Sequence, residues 1–541
     1  MFPITTGRPA TIAPNGMVAS PHSLASAAGV DALRAGGSAI DATIATGAAL
    51  SVLYPHMTSV GGDAFWLIYD AAAHRVRYLN GGGRAANGAN IDWFRSRGMN
   101  EIPLRGFLPA TLTVPGGVAS WCLAHEEYGR LSLARDLAAA IGYAREGFPV
   151  TGRLARAIEL HAADNALNSH ALAVFTRDGA APRAGDKLLN RGLALVLERI
   201  AATGHEGFYA GETAHSLASF SRAGGGFFDE ADFGAQRASW DEPLSGTYRG
   251  IEVFETPPPT QGFTVLEMLN LIEPYELAKM DPLGPELTHL LVQAKQIAYH
   301  DRDRLLADPE FQPVPVEQLI SKAHAAERRC LIRADRALPW DLVPSYGTLA
   351  GDTVFVCAVD AEGNAAALIQ SLYFTFGSGV VAGDTGVMLQ NRSAYFSLDP
   401  GHPNRLEPGK RPMHTLIASI ALKDGRPWQV LGCMGADGQP QIHLQSYTGL
   451  VDFGFDIQQA LEMPRWLSGR FNIGDSRDLL NIEGRFPEAT VKGLARRGHT
   501  VNRWPDWCEL AGHAHGITID PMSGARIGGA DPRSDGAAIG C

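Results

Sequence analysis

Along the 541-residue chain the spacing of apolar residues changes several times, and each change predicts a different kind of element. Met17-Val18-Ala19 reads as a short strand. The small-residue runs Ser23–Arg34 and Ala39–Leu53 read as two closely packing helices, the first ended by Gly36-Gly37. Alternating patterns at Ala64–Tyr69 and Arg75–Leu79 predict paired strands. From Val114 to about Ser239 apolar residues recur at helical spacing, in Ala119–Tyr128, Leu131–Glu146, Leu154–Ala162, Leu188–Thr203 and Thr213–Ser221, which predicts a helical layer. Strand character returns over 240–256 and stops at Pro257-Pro258-Pro259. Val265–Leu271, Pro285–Leu306 and Val316–Arg336 read as helices, and Ala337–Ala350 as an irregular, exposed segment. Beyond residue 352 the chain is rich in strands, with a helix expected over Gln441–Tyr447.

The run Gly351-Asp352-Thr353-Val354-Phe355-Val356-Cys357-Ala358-Val359-Asp360, then Ala361-Glu362-Gly363-Asn364, then Ala365–Leu368, predicts two strands joined by a tight turn. Thr353 opens the first strand. It reads either as an ordinary strand residue or, if the chain were cut before it, as a hydroxyl nucleophile carrying its own α-amine as base.

Composition narrows the classes. Hydrophobic residues at 45% and charged residues at 19% describe a globular chain. The net charge of −11, with no dense Lys/Arg cluster, argues against nucleic acid as a partner. It leaves an anionic substrate open, because one buried Arg suffices to hold a carboxylate. The six cysteines, at 122, 330, 357, 433, 508 and 541, show neither a CxxC pair nor zinc-ligand spacing. Residues 1–17 lack the basic and apolar regions of a secretory leader, and no stretch of ~18 apolar residues predicts a membrane span; the expected location is cytoplasmic.

Three stretches carry candidate chemistry. Gly81-Gly82-Gly83 bares the backbone before Arg84, which reads either as a solvated loop residue or as an arginine presented to an anion. Asp301-Arg302-Asp303-Arg304 reads as a structural knot of ion pairs. Met434-Gly435-Ala436-Asp437-Gly438-Gln439-Pro440, ahead of a helix, offers backbone N–H groups of the kind that stabilise an oxyanion.

Taken in order, Ala35-Gly36-Gly37-Ser38-Ala39-Ile40-Asp41-Ala42, Gly61-Gly62, Val114-Pro115-Gly116, Gly207-Phe208-Tyr209-Ala210-Gly211, Pro257-Pro258-Pro259, Thr353, Phe376-Gly377-Ser378-Gly379, Lys410-Arg411-Pro412 and Pro464-Arg465-Trp466 resemble the γ-glutamyltranspeptidase family of N-terminal-nucleophile hydrolases. The resemblance runs through nearly the whole chain. It implies an α+β fold, a four-layer αββα sandwich. It also implies self-cleavage between Asp352 and Thr353 into a large subunit, 1–352, and a small subunit, 353–541, folded as one body and open to homo-oligomerisation. In that family's terms Thr353 is the nucleophile, Ser371 the supporting hydroxyl, and Gly435 and Ala436 the oxyanion donors, with no cofactor.

The head-group positions depart from the family pattern. Glycine and Arg84 replace the expected arginine motif, Ala394-Tyr395 the acidic pair, His414-Thr415 the paired serines, and Tyr373 the asparagine. With Asn391-Arg392 and Asp437-Gly438-Gln439-Pro440-Gln441, these features are similar to the oxamate amidohydrolase and cephalosporin acylase branch. The implied substrate is a small anionic amide, bound by Arg84, Tyr373, Asn391, Tyr395, His414 and Thr415, with Arg84 and His414 gripping its carboxylate. Two alternatives stay open: a γ-glutamyl hydrolase or transferase acting on glutathione-like substrates, and an unprocessed, non-catalytic member.

Overall fold

The structure is a computed structural model that describes residues 6–106, 108–339, 351–471 and 475–541. Most of the irregular segment expected at Ala337–Ala350 lies outside the described residues.

Two seven-stranded sheets carry the fold. In chain order their strands are β1 (Thr11–Ala13), β2 (Met17–Ser20), β3 (Asp63–Asp70), β4 (Arg75–Gly81), β5 (Ser239–Asp241), β6 (Leu244–Tyr248), β7 (Ile251–Glu255), β8 (Asp352–Val359), β9 (Ala365–Tyr373), β10 (Ala418–Lys423), β11 (Arg426–Cys433), β12 (Ala514–Ile519), β13 (Arg526–Ala530) and β14 (Ala537–Gly540). One sheet runs β14-β2-β8-β9-β3-β4-β5 and the other β1-β13-β12-β11-β10-β7-β6. Each sheet takes strands from both sides of residue 352, so the two segments flanking it share one core.

Strand alternation on β8 and β9 shows how the layers form. Phe355, Cys357, Val359, Ala367 and Ile369 face the second sheet and meet Ala418, Ile420 and Val430 there. Val354, Val356, Ala358, Ala366 and Leu368 face the other way, onto helices α1 (Ser23–Arg34) and α2 (Ala39–Leu53). The outer face of the second sheet is covered by α3 (Phe263–Ile272), α4 (Pro285–Leu305) and α5 (Gln439–Tyr447). The result is the expected αββα sandwich.

Every residue of α2 is buried. Its start is fixed by a capping box, with Ser38 accepting from the Ile40 and Asp41 amides and Asp41 reaching back to the Ser38 amide. Its small face lets it lie against β9, where Gln370 Nε2 donates to the Gly47 carbonyl at 2.9 Å.

The β8–β9 turn falls where expected. Gly363 takes φ +89°, and Asn364 N donates to Asp360 Oδ1 at 2.9 Å, closing Val359 against Ala365. The helix expected over Val316–Arg336 is instead two short ones, Val316–Leu319 and Lys322–Arg328, because Ser321 takes extended φ/ψ and caps the second. Among the described residues no helix is long and apolar enough to cross a membrane, and all six cysteines are unpaired.

Candidate active site

The site forms at the start of β8. Pairing with β9 slips register between Asp352 and Val354, leaving a bulge at Thr353. Bulges re-aim a side chain, and here the Thr353 hydroxyl donates to Ser371 Oγ on β9 at 3.1 Å. Ser371 Oγ in turn donates to the Asp352 carbonyl oxygen at 2.6 Å and accepts from the Tyr373 amide at 2.7 Å. That last bond requires Tyr373 to sit at φ +82°, a left-handed conformation that strains a bulky residue. Thr353 and Ser371 are buried.

Gly435 and Ala436 link β11 to α5. Gly435 takes φ +146° and Ala436 φ +46°, so the chain doubles back, and their two amides have no partner among the described residues. Gly351 lies against this loop: a Cβ built there would fall 2.9 Å from the Ala436 Cβ. The loop is held from beneath. Gln261 Nε2 donates to the carbonyls of Thr415 and Ala436, at 2.8 and 3.1 Å, and Gln261 Oε1 accepts from Arg302 Nη1 at 2.6 Å. Arg302 also pairs with Asp437 at 2.5 Å and Asp303 at 2.6 Å. The acidic-basic run 301–304 is therefore split across α4. Arg302 and Asp303 support the Gly435–Ala436 loop, while Asp301 turns to His324 and Arg328.

The head-group residues gather around a different arginine from the one expected. Arg84 is committed elsewhere: its Nη2 contacts both Glu310 oxygens at 2.7 and 2.9 Å and its Nη1 the Gly409 carbonyl at 3.0 Å. The expected pairing of Arg84 with His414 around a carboxylate is corrected accordingly. The tight turn at Gly83, whose amide is bound by Asp63 Oδ1 at 2.9 Å, sends the Arg84 side chain toward Glu310. His414 is fully buried with Nε2 3.2 Å from Asp63 Oδ2. Burial, reinforced by the nearby Arg392 charge, pushes the His414 imidazole down to about 4, so at neutral pH it is uncharged.

The cation at this site is Arg392. It is fully buried on the turn after Asn391, with Nη1 donating to Thr415 Oγ1 at 3.0 Å and Nη2 3.5 Å from Ser371 Oγ. Its guanidinium lies 4.6 Å from the Tyr373 ring centre and 5.6 Å from that of Tyr395, and the two rings pack at 4.6 Å. Nε has no partner, and no carboxylate among the described residues forms an ion pair with Arg392. Burial lowers its pKa from the usual arginine value.

Asn391 is structural: its side chain donates to Leu104 O at 2.7 Å and accepts from Phe374 N at 3.2 Å. Arg392, Gln261, Asp63 and Asp437 escaped assignment in the sequence. For Arg392 a signal existed, a single charge inside the otherwise uncharged run Val387–Leu398.

A buried hydroxyl, a hydrogen-bonded carbonyl beside it and two unpaired amides on a strained loop are the parts of an acyl-transfer centre. Set in an αββα sandwich, they define an N-terminal-nucleophile type of hydrolase. The chain's relatives agree. Residues 25–541 match the family model described as Gamma-glutamyltranspeptidase. A glutathione hydrolase-like YwrD proenzyme of Bacillus subtilis is 42% identical over 524 residues, 97% of this chain and 98% of that one. An oxamate amidohydrolase proenzyme of Klebsiella pneumoniae is 38% identical over 535 residues, 98% and 99% of the two chains. The crystal structure of a cephalosporin acylase from Bacillus halodurans superposes with a TM-score of 0.91 at 37% identity, covering 100% of this chain and 98% of the other. The chain belongs to the γ-glutamyltranspeptidase family of hydrolases.

Proposed function

We propose that this chain is a precursor that cleaves itself before Thr353, and that the freed threonine hydrolyses a small anionic amide through an acyl-enzyme. The observation that carries the substrate class is Arg392. A buried guanidinium that is drawn to Asp63 and Asp437 but has no described carboxylate within ion-pair distance is costly, and a substrate carboxylate beside the nucleophile would complete it. The oxamate amidohydrolase named above acts on such an amide, which supports the reading.

The freed Thr353 amine, with an ordinary pKa of about 7.7–8.0, takes the hydroxyl proton as Oγ1 attacks the amide carbonyl. The Gly435 and Ala436 amides hold the oxyanion, each donor contributing ~10²–10³ in kcat. The amine then protonates the leaving nitrogen, and water releases the acid. Ser371 keeps Oγ1 oriented, and no cofactor takes part. The partners are the substrate and the two chains of one precursor.

Denaturing electrophoresis tests the first half: the 57.7 kDa chain is expected as bands of roughly 37 and 20 kDa in proportion to chain length, with Thr353→Ala remaining whole. The second half is tested on the cleaved protein with oxamate, glutaryl amides and γ-glutamyl amides. Turnover of γ-glutamyl amides alone, accelerated by glycylglycine, would replace this reading with glutathione-type chemistry. A wild-type chain that stays intact would leave the non-catalytic alternative.

A further inference from the structure

Self-cleavage needs a proton at a place the Thr353–Ser371 pair does not serve. The carbon–nitrogen bond between Asp352 and Thr353 breaks only if the nitrogen gains a proton. Ser371 has a single hydrogen, already directed at the Asp352 carbonyl oxygen, and its oxygen receives the Thr353 hydroxyl. It therefore stabilises the oxyanion without reaching the nitrogen.

On the other side of the scissile residue lies a cavity of about 280 Å³, lined by Asp352, Thr375, Gly435, His56, His161 and Arg153 among others. It has room for water, and the buried ring nitrogens of His56 have no partner among the described residues. We propose that the carboxyl group of Asp352, working from this cavity, donates the proton to the leaving nitrogen during self-cleavage. This rests on the reading of Thr353 as the nucleophile. The carboxyl is joined to the scissile carbonyl carbon through only Cα and Cβ, so rotation about a single side-chain bond brings it within reach of the following nitrogen.

The groups facing Asp352 suit it to donate. Arg105 donates to Thr375 O at 3.0 Å and lies 4.3 Å from the Phe374 ring centre. Glu509 adds a negative charge, itself 3.3 Å from Arg153. His56, pushed down to about 3 by burial, and His161, also lowered, add no charge at neutral pH. Asp352 is half-buried as a residue; desolvation of its carboxyl, with the Glu509 charge, outweighs the hydrogen bond from Thr375 and the attraction of Arg105 and raises it to about 7. A group so poised is protonated in useful amounts near neutral pH.

The step balances. A bond forms from Thr353 Oγ1 to the Asp352 carbonyl carbon, and the bond from that carbon to Thr353 N breaks. The hydroxyl proton passes through Ser371 to the Asp352 carbonyl oxygen, the Asp352 carboxyl gives its own proton to the nitrogen, and the proton on the tetrahedral oxygen goes to the Asp352 carboxylate as the ester carbonyl re-forms. One water then hydrolyses the ester, leaving a free Thr353 and a new carboxyl on Asp352.

The test follows cleavage of freshly translated full-length chain by gel between pH 5.5 and 8.5. Wild type is expected to slow about tenfold per pH unit above about 7. Asp352→Asn is expected to slow ~10²–10³-fold and lose the pH dependence, and Asp352→Glu to regain a falling limb. Thr375→Val, which removes the bond favouring the carboxylate, should move the limb to higher pH. Wild-type cleavage and pH profile in Asp352→Asn would overturn the proposal, as would an unmoved limb in Thr375→Val. Cleavage of Thr353→Ala would instead remove the nucleophile reading beneath it.

Discussion

Replacing Arg392 by Met separates substrate recognition from folding. The guanidinium now makes one clear hydrogen bond to protein, Nη1 to Thr415, and a long contact to Ser371, leaving Nε and part of Nη2 for an anion. Hydrogen bonds to charged groups contribute roughly 1.5–3 kcal/mol each. Two such bonds to a substrate carboxylate therefore amount to about 3–6 kcal/mol, or ~10²–10⁴ in kcat/KM. The same change removes a buried cation whose desolvation outweighs its attraction to Asp63 and Asp437 and retains a flexible apolar stem between Tyr373 and Tyr395, so thermal stability is expected to stay level or rise. The assay compares kcat/KM for an anionic amide with that for an uncharged amide of equal length, in wild type, Arg392→Met and Arg392→Lys. Met should lose the stated factor on the anion alone, and Lys, a point charge without the planar fork, should recover part of it. Equal losses on both substrates would refute the assignment and return Arg392 to a structural role.

Other consequences arise from the same geometry. Ala436→Gly should keep activity and gain up to ~1 kcal/mol in denaturant unfolding, because glycine adopts the φ of +46° without left-handed strain; a loss of stability would show that the alanine methyl packs usefully. Asp531→Asn should cost about 3–5 kcal/mol, since it bridges buried Arg465 and Arg533 at 2.6 and 3.0 Å, and an unchanged melting temperature would contradict this. Acid should destabilise the fold ahead of general carboxylate protonation. His22 and His414 are held down to about 4 and His56 and His515 to about 3, so below about 6.5 the unfolded chain binds protons that the native one refuses. Stability is then full above that pH and declines as pH falls toward 4; a melting temperature flat from pH 7.5 to 5 would count against the burial of these rings.

The strands and helices were legible because their causes are local, while their stacking as αββα layers was implied only by the family resemblance. Alternation on Val354–Val359 and Ala365–Ile369, the Gly363-Asn364 turn and the Ser38–Asp41 capping box each sit within a few residues. Thr353 at the head of a strand and the glycine-led Gly435–Ala436 loop before a helix were visible in the residues themselves, whereas Ser371 entered only through the family resemblance, because nothing in its own neighbourhood marks it out. The break at Ser321 was less so, because helical spacing continues across it. The choice of cation was hidden. Arg84 comes after a run of glycines and looks presented, yet Glu310, over two hundred residues away, captures it. His414 looks like a carboxylate partner, yet complete burial keeps it neutral.

The sequence by itself determined the strands and helices, the turn and the hydroxyl at the head of β8, because period, turn chemistry and strand position are properties of neighbouring residues. Only the tertiary structure decided which arginine is buried with no described carboxylate at ion-pair distance, since a buried charge is defined by every group that packs around it. Arg392 draws its surroundings from Ser371, Tyr373, Tyr395 and Thr415, which only the packed strands and loops bring together.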